Sequence, residues 1–190
     1  RDRAMNAPAR EVWGRARVHV WPERYWLASL PPVSLSEATA LVVASAGSFA
    51  AIVLERDEVS ITVPEELWLE DSLRPLAQRE AGPLRALTID VDVDLGVVGF
   101  LAPAAEGLAE AGVPIIPQCG FLKDHLLVPE DYLSRAVCAL EELIERHQSR
   151  VYRFSMKMCR DPEDARDVLR DTLLAAARGD AAKASCGSPS

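Results

Sequence analysis

Three small groups of residues have the types and spacing that could bind a ligand or a metal ion. The first is Asp94 followed by the run Gly96-Val97-Val98-Gly99. An aspartate just before an apolar periodic segment predicts a helix N-cap, and backbone N–H groups at a helix N-terminus can bind a carboxylate or another anion. The glycines allow a ligand to approach the backbone closely. The alternative interpretation is an ordinary cap followed by a tight turn.

The second group is Asp124 and His125, at a predicted turn between two strands. A carboxylate at this position can pair with a ligand ammonium group, and an imidazole can form a hydrogen bond with the ligand or titrate near neutral pH. The alternative is a turn aspartate beside a strand histidine that has one polar partner within the protein.

The third group is formed by Asp90, Asp92 and Asp94, which alternate along a predicted strand. Three carboxylates can hold a hard cation. An EF-hand loop that starts at Asp90 would need Gly at its sixth position and Glu at its twelfth, where this sequence has Leu95 and Leu101. A solvated strand face is therefore the favoured interpretation, and we predict no metal site.

The cysteines and the remaining motifs argue against catalysis. The four cysteines are too far apart for a zinc ribbon or a redox CxxC pair, which favours a reduced, cytoplasmic protein; they are Cys119, Cys138, Cys159 and Cys186. Cys119 is predicted to be a buried structural cysteine, because little positive charge lies near it in sequence. The sequence contains no nucleophile–base pair, phosphate-binding loop or metal-ligand spacing. We therefore predict a protein that is not an enzyme and has no cofactor.

Composition limits the class of protein further. The 190 residues are 49% hydrophobic, which is enough for the core of one domain or two small ones. The net charge of −8 disfavours contact with phosphate backbones, so no direct DNA binding is expected. The sequence has no apolar run of about 20 residues, so no membrane span is predicted. Because the first methionine is Met5, either a fragment or a start at Met5 is expected.

The pattern of residues 84–147 predicts the order strand, helix, strand, strand, helix. Apolar and polar residues alternate over 84–93, as in a half-buried strand. Pro114 and Pro117 suit an edge strand, and Pro129 opens a final helix with a continuous apolar stripe. The mixture of strands and helices without parallel repetition indicates an α+β sandwich in which helices cover an antiparallel sheet.

The N-terminal half carries a looser version of the same pattern. Strand-like runs are followed by a capping box at Ser34–Glu37, a hairpin over residues 49–63 and an irregular helix over 65–82. The sequence therefore predicts a disordered tail, two similar halves, a helical segment and a second disordered tail, at residues 1–14, 15–82, 83–147, 148–179 and 180–190.

The C-terminal half resembles the small bacterial ACT-domain proteins related to the CASTOR arginine sensors, and the likeness extends over residues 16–146. It lies in the strings Leu87-Thr88-Ile89-Asp90, Asp94-Leu95-Gly96-Val97-Val98-Gly99-Phe100-Leu101, Leu108-Ala109-Glu110-Ala111-Gly112-Val113 and Asp124-His125-Leu126-Leu127-Val128-Pro129-Glu130-Asp131. The resemblance implies a ferredoxin-like sandwich (βαββαβ) with two ACT-like halves, a homodimer, and an amino acid or similar ligand bound where modules meet. The ligand-binding residues that it implies are Asp94, Gly96, Val97, Val98, Gly99, Ile116, Asp124 and His125.

Residues 151–178 resemble the start of region 2 of extracytoplasmic-function sigma factors. The likeness centres on Asp161-Pro162-Glu163-Asp164, a strong start for a second helix. It implies a C-terminal helical pair that contacts core RNA polymerase, through Asp164, Asp167, Arg170 and Asp171.

Three hypotheses about function follow from these patterns. The first is a non-catalytic regulatory module that binds an amino acid or a similar small ligand at the ACT interface. The second is a transcription-related protein, in which a sigma-factor-like segment contacts RNA polymerase under control of the ACT domain. The third is a structural protein with an empty pocket.

Overall fold

The computed structural model describes residues 7–158, which fold into a sheet with helices on one of its faces. None of these helices is long and apolar enough to cross a membrane. The helices and strands are, in chain order, α1 (Ala7–Trp13), β1 (Val18–Leu30), α2 (Leu35–Ala44), β2 (Ala51–Leu54), β3 (Val59–Pro64), α3 (Glu65–Trp68), β4 (Arg79–Ile89), α4 (Ala102–Glu110), β5 (Ile116–Cys119), β6 (Asp124–Pro129) and α5 (Leu133–Met158).

The six strands form one antiparallel sheet in the order β2-β3-β1-β4-β6-β5. The long strands β1 and β4 lie at its centre, and β5, which carries Pro117, lies at an edge as predicted. Pro22 lies among the strand-like runs of the first half, where a proline would usually interrupt a strand. Instead β1 runs through it, because the pairing with β4 shifts register between Val20 and Arg24 and so accommodates the missing N–H of the proline.

The two halves repeat one arrangement, β1-α2-β2-β3-α3 and then β4-α4-β5-β6-α5. In each half the third strand lies between the first and the second, and the first strand also pairs with the first strand of the other half. The antiparallel α+β prediction is therefore confirmed, whereas neither half contains the complete βαββαβ order. The position beside the first strand of each half is occupied by the first strand of the other half. The repeat is visible in sequence, where Val63-Pro64-Glu65-Glu66 corresponds to Val128-Pro129-Glu130-Asp131.

A charged cluster lies where the halves meet. Arg24 and Arg85 are direct neighbours across β1 and β4. Arg24 contacts Glu65 at 3.3 Å and Glu130 at 3.6 Å, and Arg85 contacts Glu130 at 3.9 Å. The two glutamates occupy equivalent places in the repeat, so each half supplies one arginine and one glutamate. These ion pairs offset the repulsion between the adjacent arginines.

Two apolar cores lie between the sheet and its helices. The first half packs α2 and α3 on the sheet around Trp68, Ala38 and Ile61, all fully buried. The second half packs α1, α4 and α5 on it around Leu87, Leu108 and Leu140. Burial of such side chains contributes about 1.5–3 kcal/mol each.

The opposite face of the sheet holds a third buried cluster, formed by Tyr25, Phe49, Leu84, Ala86 and Leu127. No helix of the described residues belongs to this cluster. The sheet curls instead, so that residues of the two halves meet across this face. Gln118 of β5 donates from Nε2 to Thr62 Oγ1 of β3 at 2.7 Å, although three strands separate β5 from β3 in the sheet.

The predicted loose tail over residues 1–14 is wrong for residues 7–13. These residues form α1, in which Ala9, Val12 and Trp13 are buried against the second core. Without a long periodic pattern, seven residues give a weak helix signal, and the tertiary contacts of Trp13 stabilise the helix.

The predicted helix start at Asp94 is also wrong. The helix α4 begins at Ala102, and residues 90–101 form an irregular loop. Asp94 caps a turn within that loop, because its Oδ1 accepts a hydrogen bond from Gly96 N at 2.7 Å and its carbonyl accepts one from Val97 N at 2.9 Å. Gly99 has a φ of 78°, which a helix excludes.

Two further differences concern helices. Residues 65–82 were predicted as one irregular helix, but α3 has only four residues and β4 begins at Arg79, because Arg79 and Ala81 pair with β1. The helix α5 continues through the predicted boundary at residue 148, since no Gly or Pro interrupts Leu133–Met158. The second helix of the predicted C-terminal pair lies outside the described residues.

Candidate functional site

A cavity of about 300 Å³ lies between the loop that follows β4 and the turn that joins β5 to β6. Apolar side chains, two carboxylates and one ammonium group line this first cavity. Its lining residues are Val93, Asp94, Leu95, Val97, Phe100, Leu101, Cys119, Gly120, Phe121, Leu122, Lys123 and Asp124. Its size is at the lower end of the range for small-molecule sites.

Three of the residues predicted to bind a ligand line this first cavity: Asp94, Val97 and Asp124. His125 lines a second cavity on the neighbouring face. Ile116 packs against the buried cluster on the open face of the sheet, and it lines neither cavity. The other predicted residues in the loop also line neither cavity; they are Gly96, Val98 and Gly99.

The turn between β5 and β6 positions the acidic side of the first cavity. Gly120 N donates to Lys123 O at 2.9 Å and closes the turn. The Lys123 ammonium forms an ion pair with Asp90, from the loop on the other side of the cavity. This pair joins the two segments that form the cavity, and it leaves Asp94 and Asp124 on the cavity lining.

Cys119 is not the buried cysteine that the sequence suggested, and its thiol interacts with the Asp124 carboxylate. Its side chain is exposed. A hydrogen bond to the Asp124 carboxylate, together with partial burial and the charge of Asp124, raises the pKa of the Cys119 thiol to about 11. The thiol therefore stays protonated at neutral pH and is a weak nucleophile.

The backbone of residues 96–99, which was predicted to bind an anion at a helix N-terminus, lies in the loop that precedes α4. Gly96 N and Val97 N already donate within the Asp94 turn. The positive end of the α4 dipole begins at Ala102 instead, directly after Phe100 and Leu101, which line the cavity. The helix N-terminus thus lies beside the first cavity, seven residues later than an N-cap at Asp94 would place it.

A second cavity, of about 320 Å³, opens between the two halves of the chain. It lies on the face of the sheet opposite the helices. The first half contributes Trp21, Ser48, Phe49, Ala50 and Ala51, and the second half contributes Gln118, Cys119, Gly120 and His125. The two cavities share only Cys119 and Gly120.

A chain of hydrogen bonds fixes the His125 imidazole in the second cavity. Trp21 Nε1 donates to Thr88 Oγ1 at 2.8 Å, and Thr88 Oγ1 lies 2.8 Å from His125 Nδ1. Burial lowers the pKa of His125, with a smaller contribution from Lys123, while Asp124 opposes the shift. His125 is therefore a neutral imidazole at neutral pH.

The Phe49 ring is held against His125 by its own set of contacts. The two ring centroids are 4.7 Å apart. Phe49 N donates to Tyr25 Oη at 3.3 Å, and the Tyr25 hydroxyl donates to Glu23 at 2.8 Å. Burial and the Glu23 carboxylate raise the pKa of Tyr25, so this hydroxyl keeps its proton. The aromatic wall is thus fixed before any ligand arrives.

Sequence patterns did not single out Phe49 or Gln118. Both lie in short runs that indicate strands, and only the curl of the sheet brings them together. Trp21 and Tyr25 pack on the sheet in the third buried cluster. Within residues 7–158 no three His, Cys, Asp or Glu side chains cluster as metal ligands. The residues predicted to contact RNA polymerase lie outside the described part of the chain; they are Asp164, Asp167, Arg170 and Asp171.

Three of the solved structures with similar folds illustrate the likeness. A Vibrio cholerae protein of unknown function, described as a possible transport protein, matches with a TM-score of 0.58 and 19% identity over 72% of this chain and 96% of its own. A protein from Agrobacterium tumefaciens matches with a TM-score of 0.52 and 20% identity over 68% of this chain and 89% of its own. Aspartate kinase from Clostridium acetobutylicum matches with a TM-score of 0.52 and 10% identity.

These structural matches include the N-terminal half. The aspartate kinase match covers 68% of this chain but 34% of the kinase, so the chain spans about a third of that enzyme. At these identities the likeness concerns the fold alone. No curated protein sequence matches this chain.

Family models match the sequence in two adjacent segments. The first is the ACT domain, at residues 82–142, which covers β4 to the middle of α5. The second is sigma-70 region 2, at residues 143–183. Both resemblances that the sequence motifs predicted are therefore confirmed: the chain carries an ACT-domain match followed directly by a sigma-70 region 2 match.

Proposed function

We propose that this chain is a non-catalytic regulatory module that binds a free amino acid, or a similar small ligand with an ammonium group, in the first cavity. The observation that carries the proposal is the position of Asp94 and Asp124. They are 30 residues apart in sequence and line one cavity. The ACT-domain match covers both residues, and ACT domains are regulatory modules that bind such ligands.

The chemistry of the lining fits this class of ligand. The two carboxylates can pair with an ammonium or guanidinium group. The N-terminus of α4, directly after Phe100 and Leu101, favours a carboxylate at the other end of the ligand. Val97 and the ring of Phe100 offer an apolar surface for the aliphatic part. Regulation then follows from linkage, because a ligand that joins the loop to the β5–β6 turn stabilises one arrangement of the two.

A thermal-shift panel of the twenty free amino acids at millimolar concentration tests the proposal. At a concentration 100 times the dissociation constant, the ligand adds about 2.7 kcal/mol of stability, which is a shift of several degrees. Asp94→Asn and Asp124→Asn should each abolish the shift. Asp92→Asn is the matched control, because Asp92 is exposed and does not line the cavity. A panel without any responder would refute amino-acid binding.

We also propose that a second copy of the chain covers the first cavity. Apolar side chains at its rim are exposed: Leu95 by 76%, Phe121 by 77% and Leu122 by 49%. The neighbouring Val98 is 66% exposed. ACT modules commonly pair, and a second copy would bury these side chains. Light scattering coupled to size-exclusion chromatography should give a dimer for the wild type and a monomer for Phe121→Asp. A wild-type monomer would contradict this proposal.

The sigma-70 region 2 match favours a second candidate function, contact with core RNA polymerase. The match begins at residue 143, within α5, whose Leu143, Ile144 and His147 are buried against the ACT core. A continuous helix therefore joins the two matched segments. A binding assay with core RNA polymerase tests this candidate, since the double variant Asp164→Lys and Asp167→Lys should lose binding that the wild-type chain has. Absence of wild-type binding would refute it.

A further inference from the structure

The helix α1 contacts both the lining of the first cavity and the helix α5. The indole of its Trp13 stacks on the ring of Phe100, with centroids 4.9 Å apart, and Phe100 lines the cavity. The same indole lies beside the imidazole of His147 in α5, at 6.2 Å between ring centroids. One side chain of α1 therefore connects the candidate ligand site to α5.

The part of α5 that α1 contacts is the start of the sigma-70 region 2 match, which begins at residue 143. Leu143 and Ile144 are buried in the same core as Val12 and Trp13 of α1. His147, one turn further along α5, is also buried. The ACT core thus holds the first residues of the sigma-matched segment (residues 143–183), and α1 is part of the surface that holds them.

The helix α1 depends on this docked position. It has seven residues, and isolated helices of fewer than about 12 residues are only marginally stable in water. Its helical structure therefore requires the burial of Ala9, Val12 and Trp13 against the rest of the domain. Release of α1 and loss of its helix are a single step, so docked and released α1 are two distinct states of the chain.

The docked state carries a polar cost at His147. Its Nδ1 forms a hydrogen bond of 2.8 Å with the Leu143 carbonyl, and its Nε2 is buried without a partner among the described residues. A buried polar atom without a partner costs free energy that contact with water removes. Release of Trp13 opens this part of the core to water, so the two states are closer in free energy than the burial of Trp13 alone would make them.

We propose that α1 is a clamp through which occupation of the first cavity holds the start of the sigma-matched segment in the ACT core. The proposal rests on the amino-acid site proposed above. A ligand that packs on Phe100 fixes the ring on which Trp13 stacks, and it fixes the carbonyl that accepts from Trp13 Nε1 at 2.8 Å. Docked α1 in turn holds His147, so ligand binding and retention of residues 143–147 stabilise each other.

A substitution in the cavity tests this route without any ligand. Phe100→Leu, made in the full ¹⁵N-labelled chain, removes the ring on which Trp13 stacks. The Nε1–H resonance of Trp13 and the ring nitrogens of His147 should both shift. The Nε1–H resonance of Trp26, which packs in the core of the first half, should stay in place. Unchanged His147 resonances in this variant would overturn the proposal.

The second arm adds each of the twenty free amino acids at millimolar concentration to the full chain. The amino acid that shifts the amides of Asp94 and Asp124 should also shift the His147 ring nitrogens. Trp13→Leu should still bind that amino acid at Asp94 and Asp124, but its His147 response should be lost. Trp26→Leu is the matched control and should respond like the wild type, because Trp26 contacts neither the first cavity nor α5 among the described residues.

Circular dichroism shows whether Trp13→Leu is folded. If it is not, Trp13→Phe takes its place. This variant keeps a ring beside Phe100 but lacks the indole N–H, so its His147 response should be weaker than that of the wild type.

The outcomes distinguish this proposal from the ligand site on which it rests. A panel in which no amino acid shifts Asp94 and Asp124 would refute the ligand site, and the coupling with it. Shifts at Asp94 and Asp124 without a shift at His147 would leave the ligand site intact and overturn the coupling. A His147 response that persists at full size in the Trp13 variant would overturn it as well.

Discussion

The indole of Trp13 stacks on the ring of Phe100, with centroids 4.9 Å apart, and donates from Nε1 to the Phe100 carbonyl at 2.8 Å. These residues are 87 positions apart in the sequence. The contact connects α1 to the loop that precedes α4, and Phe100 lines the first cavity. A helix that the sequence did not predict therefore supports the floor of the candidate ligand site.

Replacement of Trp13 should destabilise the whole domain. Trp13 is fully buried, so we expect Trp13→Ala to lower the free energy of unfolding by about 3–5 kcal/mol. Trp13→Phe keeps a ring against Phe100 but leaves the buried carbonyl without its donor, which should cost less, about 1–3 kcal/mol. Urea denaturation measures both values. Equal stability of Trp13→Ala and the wild type would show that α1 does not pack as described.

Gly82 should not tolerate a side chain. A Cβ atom at this position would lie 2.5 Å from Trp26 Cδ2. The Trp26 ring cannot easily move, because its Nε1 donates to Glu65 at 3.0 Å and the Arg74 guanidinium lies over it at 5.3 Å. We expect Gly82→Ala to cost about 1–3 kcal/mol of stability, measured by urea denaturation.

The matched control for this change is Gly107→Ala, within α4. A Cβ atom at Gly107 would meet no atom of the described residues within 4 Å, apart from the backbone of its own helix. Because alanine favours a helix more than glycine does, this variant should be more stable than the wild type by about 0.5–1 kcal/mol. Similar effects of the two substitutions would contradict the close approach of Gly82 to Trp26.

The stability of the chain should depend on His125 near neutral pH. Burial lowers the pKa of His125 from its usual value of 6.5, so the unfolded chain binds this proton more readily than the folded chain. The part of the free energy of unfolding that depends on neutral His125 is fully present above about pH 6.5. It is lost as the pH falls towards the lower pKa of the folded state. Melting temperatures of the wild type and His125→Gln between pH 7.5 and 5 measure it. The variant should lose less stability over that range, and parallel curves would refute the assignment.

Cys119 should react slowly with alkylating reagents. A pKa near 11, in place of the usual 9.0, lowers the thiolate fraction at neutral pH by about a hundredfold. Asp124→Asn removes the charge that holds the proton and should therefore speed alkylation by iodoacetamide. The measurement uses a chain in which Cys138, Cys159 and Cys186 are replaced by serine. A rate that does not change in the Asp124 variant would contradict the Cys119–Asp124 contact.

The sequence was informative where local pattern and tertiary structure agree. The hairpin of β2 and β3 followed from its β-rich runs. Gly112, with a φ of 67°, follows the end of α4, where glycine is common. Helix and strand signals around residues 84–147 indicated the element order of the second half, because apolar residues of β4, α4, β6 and α5 face one core.

The remaining features depend on contacts between distant residues. Asp94 has the residue type of an N-cap, but Gly96 and Gly99 favour a turn, so the N-cap of α4 is Leu101, seven residues later. The second cavity requires the sheet to curl until Gln118 reaches Thr62, which no local pattern encodes. Asp94 and Asp124 were predicted as ligand residues from the family resemblance, and the fold places both on one cavity.

The most direct test of the central proposal is chemical-shift mapping on the ¹⁵N-labelled chain as each amino acid of the panel is added. If the first cavity is the ligand site, the amino acid that raises the melting temperature should shift the amide resonances of Asp94, Val97, Leu101 and Asp124. Resonances of the first half, such as Ala38 in α2, should stay unchanged. Shifts confined to residues outside the cavity, or no shift with any amino acid at millimolar concentration, would contradict the proposal.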